Sequence, residues 1–141
     1  MRDLGPLVDF FESMTPESVD GIDALYASDA YFKDPFNEVR GVEKIRRVFA
    51  HMFEQVSDPR FHVTDQIIAG NGAFLAWDFT FRFRPGGDLV TVHGSSHLRF
   101  DAEGKVAYHC DYWDAAGELY AKVPVLGALM RLLRRKLSAP H

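Results

Sequence analysis

Apolar residues recur along this chain at two different spacings, and the change between them divides it. Up to Glu54 the spacing is helical. Leu4, Leu7, Val8, Phe11 and Met14 predict a first helix, with Asp3 placed to cap it. Thr15-Pro16-Glu17 restarts a helix, with a capping hydroxyl followed by proline at the first helical position. Val19, Ile22, Leu25 and Tyr26 are the expected buried stripe of that second helix. A short strand, Ala30–Phe36, follows. After Gly41, the stripe Val42, Ile45, Val48, Phe49, Met52 and Phe53 predicts a helix over Val42–Glu54, with Glu43, Lys44, Arg46 and Arg47 in water.

From Pro59 the period becomes two. Phe61–Ile68 reads as a strand, and Ala69-Gly70-Asn71-Gly72 as a turn. In Ala73–Arg84, Leu75, Trp77, Phe79, Phe81 and Phe83 alternate with Asp78, Thr80, Arg82 and Arg84, which predicts a half-buried strand. Pro85-Gly86-Gly87-Asp88 turns into a strand over Leu89–Phe100, and Asp101-Ala102-Glu103-Gly104 turns into a last strand over Lys105–Asp114. Hairpin-length connections make these four an antiparallel meander. Beyond it, Ala115–Lys122 suits one or two helical turns, and a final helix is expected from Pro124 to about Leu137. Its apolar side is Leu126, Leu129, Met130, Leu133 and Leu137, opposite Arg131, Arg134, Arg135 and Lys136. That helix suits packing over the sheet or lying on an anionic membrane. The fold class expected is α+β, a single domain spanning residues 1–141.

Composition narrows the function. At 141 residues the chain is long enough for one domain with a real core. Twelve Phe, five Tyr and two Trp point to a thick core or an aromatic-lined pocket. The net charge of -4 and the lack of a basic stripe exclude a general nucleic-acid binder. The single Cys110 excludes an internal disulfide and a cysteine-rich metal site. No basic-then-apolar leader opens the chain and no apolar run approaches about 18 residues, so a cytoplasmic protein without an integral membrane segment is expected.

Candidate chemistry gathers at two places. Asp34 stands where a strand gives way to Pro35, flanked by Tyr31, Phe32 and Phe36. A strand-end acid facing an apolar cavity is desolvated, which raises its pKa toward general-base values. The other reading is an Asp-Pro turn in which Asp34 bonds its own backbone. In the last strand, His109, Asp111 and Trp113 share one face, while Tyr108, Cys110 and Tyr112 share the other. His109 and Asp111 lie roughly 6.5–7 Å apart along the strand, within reach of a shared hydrogen bond. The apolar face of the preceding strand is interrupted by Gly94 and Ser96, leaving room for a ligand or another backbone. His93 and His97 sit about 13 Å apart along that strand, too far for one metal ion at bonds of ~2 Å. No metal site is expected.

The order helix–helix–short strand–helix–four long strands resembles the nuclear transport factor 2-like fold, a conical barrel of a strongly curved, mainly antiparallel sheet against N-terminal helices. LYASDAYFKDPFNEVRG and the helix after it, Leu25 to Phe53, resemble ketosteroid isomerases and SnoaL-like polyketide cyclases. LRFDAEGKVAYHCDYWD, Leu98 to Asp114, is similar to the end of the sheet in SnoaL-like proteins. The resemblance implies that Asp34 occupies the catalytic-base position of ketosteroid isomerases, where a Tyr and a protonated Asp bind the enolate oxygen. The matching positions here are Phe10 and Ser96. Phe donates no hydrogen bond, and losing one such donor costs on the order of 3 kcal/mol, so steroid isomerisation by that arrangement is not expected. SnoaL-like cyclases use an Asp and a nearby His as acid and base, which here implies Asp111 and His109 facing Asp34. The Asp-Arg-Asp set of limonene-epoxide-hydrolase relatives is not found, because Arg99 lies on the opposite face from Ser96.

Two functions remain open at this point. One is a cofactor-independent isomerase, cyclase or hydrolase acting on a small apolar molecule that carries a carbonyl or hydroxyl. In it Asp34, His109 and Asp111 are catalytic, and the pocket takes in Phe10, Tyr26, Phe36, Phe53, Leu75, Trp77, Phe79, Phe81, Val92, Gly94, Ser96 and Trp113. The other is a non-catalytic binding or dimerisation module of the same fold. A homodimer is expected through the outer sheet face, with Tyr108, Cys110, Tyr112, Arg82, Arg84, His93 and His97.

Overall fold

The structure is a computed structural model that describes residues 3–114 and Lys136. The first helix, α1 (Gly5–Glu12), buries Leu7, Val8 and Phe11. Its N-cap is Leu4, and Asp3 Oδ1 accepts the Gly5 N–H at 2.8 Å, satisfying one open donor of the first turn. The second, α2 (Pro16–Val19), opens with reciprocal hydrogen bonds between Thr15 and Ser18. It is shorter than its periodicity suggests. After Gly21 the chain makes a 3₁₀ turn, Ile22–Ala24, and Tyr26 already belongs to strand β1 (Tyr26–Lys33). The stripe Val19, Ile22 and Tyr26 is buried as expected, but on three different elements rather than one helix.

Strand β2 (Glu38–Arg40), which the periodicity does not reveal, pairs antiparallel with β1 across a turn at Asp34–Asn37. Helix α3 (Val42–Gln55) starts after Gly41, whose φ of 106° is a conformation that favours glycine. It buries Val42, Ile45 and Phe49. The meander follows as β3 (Ser57–Ala69), β4 (Gly72–Arg82), β5 (Leu89–Phe100) and β6 (Val106–Trp113). Strand β3 begins before Pro59, with a register irregularity between Ser57 and Arg60. An edge strand tolerates such a proline because the missing N–H faces no partner. Strand β4 stops at Arg82, so Phe83 is exposed rather than part of the buried row.

All six strands form one sheet in the order β2-β1-β6-β5-β4-β3. Every pairing is antiparallel except β1 with β6, which run parallel. The α+β class and the mainly antiparallel sheet are as expected. The conical barrel holds only loosely, because β2 and β3 are the two edges of a sheet that does not close. Helix α1 packs on β3, and α3 on β1, β2 and β3, so the core lies between these helices and one face of the sheet. Among the described residues, no helix is long and apolar enough to cross a membrane. The turns expected over Ala115–Lys122 and the basic helix expected from Pro124 to Leu137 lie outside the described residues, apart from Lys136.

Candidate functional site

Strand β6 delivers His109 and Asp111 to the buried face of the sheet. A register irregularity between Arg99 and Phe100 of its β5 partner lets Val106 and His109 both point into the core. His109 is 2% exposed, ringed by Phe11, Tyr26, Phe32 and Phe49 at centroid distances of 5.8, 6.0, 4.8 and 6.3 Å. Its Nε2 lies 2.6 Å from Asp111 Oδ1, and its Nδ1 lies 2.7 Å from the Tyr26 hydroxyl. Burial pushes the Tyr26 phenol well above its usual range, and the Asp111 charge adds to the push. Tyr26 therefore keeps its proton.

The chain of contacts continues on the far side of Asp111. Ser96 Oγ lies 2.5 Å from Asp111 Oδ1, and Trp77 Nε1 lies 2.9 Å from Ser96 Oγ. The Trp77 ring fills the space above Gly94: a Cβ there would stand 2.4 Å from Trp77 Cη2. The gap that Gly94 and Ser96 leave in the apolar row of β5 is thus occupied by an indole of the protein itself.

Asp34 reaches the same region from β1. The parallel register sets Phe32 beside His109 and Lys33 beside Cys110, and just past the strand end Asp34 borders the same hollow as Asp111. Asp34 also makes the turn expected of Asp-Pro. Its Oδ1 accepts the N–H groups of Phe36 and Asn37 at 2.8 and 2.7 Å, and the Asn37 side-chain amide at 3.1 Å. Burial raises the Asp34 carboxyl above its ordinary 3.8; these hydrogen bonds pull it back, and the Asp111 charge adds to the rise. Turn and half-buried carboxylate are one arrangement.

Two spaces meet at Asp111. An interior cavity of about 20 Å³, room for one water molecule, is lined by Phe11, Met14, Phe49, Phe61, Val63, Trp77, Ser96, His109 and Asp111. An open hollow of about 690 Å³ is lined by Tyr31, Lys33, Asp34, Pro35, Tyr108, Cys110, Asp111, Tyr112 and Trp113. Of the residues picked from sequence, Trp77, Ser96, His109 and Asp111 border the cavity, and Asp34, Asp111 and Trp113 border the hollow. Others stand elsewhere. Phe79 and Phe81 stack in a row with Phe61, with Val92 opposite Phe79 on β5. Phe53 lines a different groove, with Met14 and Val56. Phe36 is half-exposed and packs edge-on against Trp113 at 5.5 Å. Leu75 and Tyr26 are fully buried in the core.

Phe11, not Phe10, faces the cavity. The helical stripe of α1 signals this, since Phe11 lies one turn beyond Leu7. Phe49, Phe61 and Val63 also face the cavity from positions their own periodicities mark as buried. Among the described residues, no group of three His, Cys, Asp or Glu side chains is placed to hold a metal ion.

Comparison with known proteins agrees with this architecture. The family model of the SnoaL-like domain matches residues 7–109. No curated protein matches the chain. Among solved structures, a protein of ketosteroid isomerase-like fold from Catenulispora acidiphila, in complex with trimethylamine, is 17% identical with a TM-score of 0.68, over 79% of this chain and 85% of that one. An NTF2-like protein from Burkholderia pseudomallei is 14% identical with a TM-score of 0.67, over 94% and 95% of the two chains. TsrD from Streptomyces laurentii is 19% identical with a TM-score of 0.65, over 86% and 90%. At these identities the likeness is one of fold.

Proposed function

The chain belongs to the SnoaL-like domain family, and from that premise we propose that it moves a proton on a small, largely apolar molecule bearing a carbonyl or hydroxyl, without a cofactor. The reaction class is isomerisation, ring closure or hydrolysis by positioned acids and bases. One observation carries this reading: a carboxylate, Asp111, hydrogen-bonded within an aromatic interior and adjoining a second carboxyl, Asp34, that burial pushes upward. Asp34 is the general base. Asp111, oriented by His109, is the second carboxylate of the hollow and orients the bound molecule. Trp113 is the apolar wall against which a ligand rests. The setting is the cytoplasm.

The test uses a panel of small 1,3-dicarbonyl and β,γ-unsaturated carbonyl compounds in D2O, with exchange or isomerisation followed by proton NMR. The protein accelerates deuterium uptake next to the carbonyl for at least one compound, and Asp34→Asn abolishes it while binding persists. Unchanged exchange in that variant sinks the assignment of the base.

A second reading, a non-catalytic binding and dimerisation module, is favoured by a different observation. The outer face of the sheet carries a continuous row of ring contacts: Arg40 over Tyr31, Tyr31 stacked on Tyr108, Tyr108 edge-on to His97, and His97 stacked on Phe74. Phe74 is 45% exposed and its β3 neighbour Ile67 is 61% exposed. Such a face suits a second copy of the chain. Cys110, on the same face, is buried and contributes little to it. Tyr31 and Tyr108 of that row also line the hollow bordered by Asp34 and Asp111, so a second copy seated there would adjoin the site.

A further inference from the structure

The buried chain Trp77–Ser96–Asp111–His109–Tyr26 has a direction that elementary hydrogen-bond chemistry settles. The Trp77 indole nitrogen can only donate, so Ser96 Oγ accepts at 2.9 Å. The serine proton is then free to go to Asp111 Oδ1. Asp111 as a carboxylate only accepts, so the proton between its Oδ1 and His109 belongs to Nε2. At the other end, Tyr26 is fully buried, and the only hydrogen bond of its hydroxyl among the described residues is to His109 Nδ1 at 2.7 Å. A proton on Nδ1 would leave the phenol hydrogen without an acceptor in the core, an expensive arrangement. Tyr26 therefore donates, and Nδ1 accepts. Donors enter from both ends and converge on one oxygen.

We propose that Tyr26 is a positioning residue: its hydroxyl engages Nδ1 of His109, whose Nε2–H is committed to Asp111, so that the imidazole acts only through Asp111 and never on a bound molecule. The inference rests on the acid–base reading of the site and divides its labour. Both ring nitrogens of His109 are engaged and the residue is 2% exposed, so no ligand reaches either nitrogen. Both hydrogen bonds to Asp111 land on Oδ1, and Asp111 borders the interior cavity and the open hollow alike. Among the described residues Oδ2 accepts no hydrogen bond, and it is the atom left for a substrate. Asp111 is the member of the pair that touches it, with its orientation fixed by Ser96 and Trp77 on one side and by His109 and Tyr26 on the other. The arrangement follows the logic of an acid–imidazole–hydroxyl triad. Here, however, the hydroxyl is buried and serves as an anchor.

The test is the ring-nitrogen spectrum of His109 in uniformly 15N-labelled protein near neutral pH, with no ligand added. The wild type shows a pyrrole-type Nε2 and a pyridine-type, hydrogen-bonded Nδ1. Tyr26→Phe moves the Nδ1 resonance downfield, toward the unbonded pyridine position, and leaves the proton on Nε2. A wild-type His109 protonated on Nδ1, or on both nitrogens, overturns the inference, and that spectrum decides even if the variant does not fold. An Nδ1 signal unmoved by Tyr26→Phe overturns it as well. Because no substrate enters this measurement, its failure is separate from failure of the carbonyl-exchange assay.

Discussion

His109 Nε2 stands 2.6 Å from Asp111 Oδ1, two residues along one face of the strand that closes the meander. Residues so spaced on a strand point the same way, but the backbone holds them roughly 6.5–7 Å apart. The side chains close that gap because each is pressed inward from behind, His109 by four aromatic neighbours and Asp111 by Ser96. Taking two polar groups this deep is costly unless each finds partners, and each has two.

Ser96 is the hinge of that satisfaction, and its removal has a defined cost. Ser96→Ala strands the Trp77 N–H and takes one donor from Asp111, both in buried surroundings. The expected loss is about 1–3 kcal/mol, read from the denaturant midpoint. Trp77 fluorescence shifts with it as the indole loses its partner. A midpoint equal to wild type contradicts the network.

Gly94→Ala tests the packing of the same corner. The added methyl meets the Trp77 ring at a distance no real contact shows, and the ring is wedged among Phe61, Ser96 and the sheet. Overpacking of this kind costs about 1–3 kcal/mol. Trp77→Phe in the same chain relieves the clash, so the double variant loses less than the sum of the two single variants.

Asp34 gives the protein a pH signature. Its folded-state carboxyl is raised above 3.8, chiefly by burial, with the Asp111 charge adding to the effect. A group whose folded pKa exceeds its unfolded value binds more protons in the folded chain. Its contribution to stability therefore falls as pH rises from about 4 through the folded value. Asp34→Asn removes this slope. Urea midpoints measured at intervals across that window fall more steeply with pH for wild type than for the variant, and parallel curves exclude the shift.

The β1–β2 hairpin offers an independent check at its surface. The Tyr31 hydroxyl donates to Glu38 Oε2 at 2.6 Å, and this bond raises the phenol to about 12. Glu38→Gln lowers the Tyr31 titration toward its ordinary value of 10.0 in an absorbance titration. A variant that still titrates near the wild-type value contradicts the contact.

For the outer face, sedimentation equilibrium decides the dimer. The wild type sediments at twice the chain mass. Phe74→Glu, which places a charge in the middle of the exposed aromatic row, restores the monomer. A wild-type monomer at high concentration refutes the dimer.

The long strands were legible because their alternation is strict: Leu89–Phe100 is found with the bounds its residues announce. Helix α3 was legible for the same reason, in its own period. Tyr26 was not. Helical spacing from Val19 and Ile22 ran through it, whereas the actual constraint is parallel pairing with Val106, eighty residues on, which no local period carries. Phe10 and Phe11 differ by one position. The helical stripe marked Phe11 as buried, while likeness to isomerases pointed to Phe10, and the stripe agrees with the structure. The parity of β6 placed His109 and Asp111 together, but the ends of the chain they belong to, Trp77 and Tyr26, come from two other strands. Only the sheet order brings those four residues to one place.

The most direct measurement is a carbon-detected titration of the Asp34 side-chain carboxyl in the intact protein, repeated in Asp111→Asn. The expected midpoint is displaced upward from about 3.9, and by less once the Asp111 charge is removed. A wild-type midpoint at or below 3.9 would mean that the turn hydrogen bonds outweigh burial, leaving Asp34 a structural acid and the site without its base.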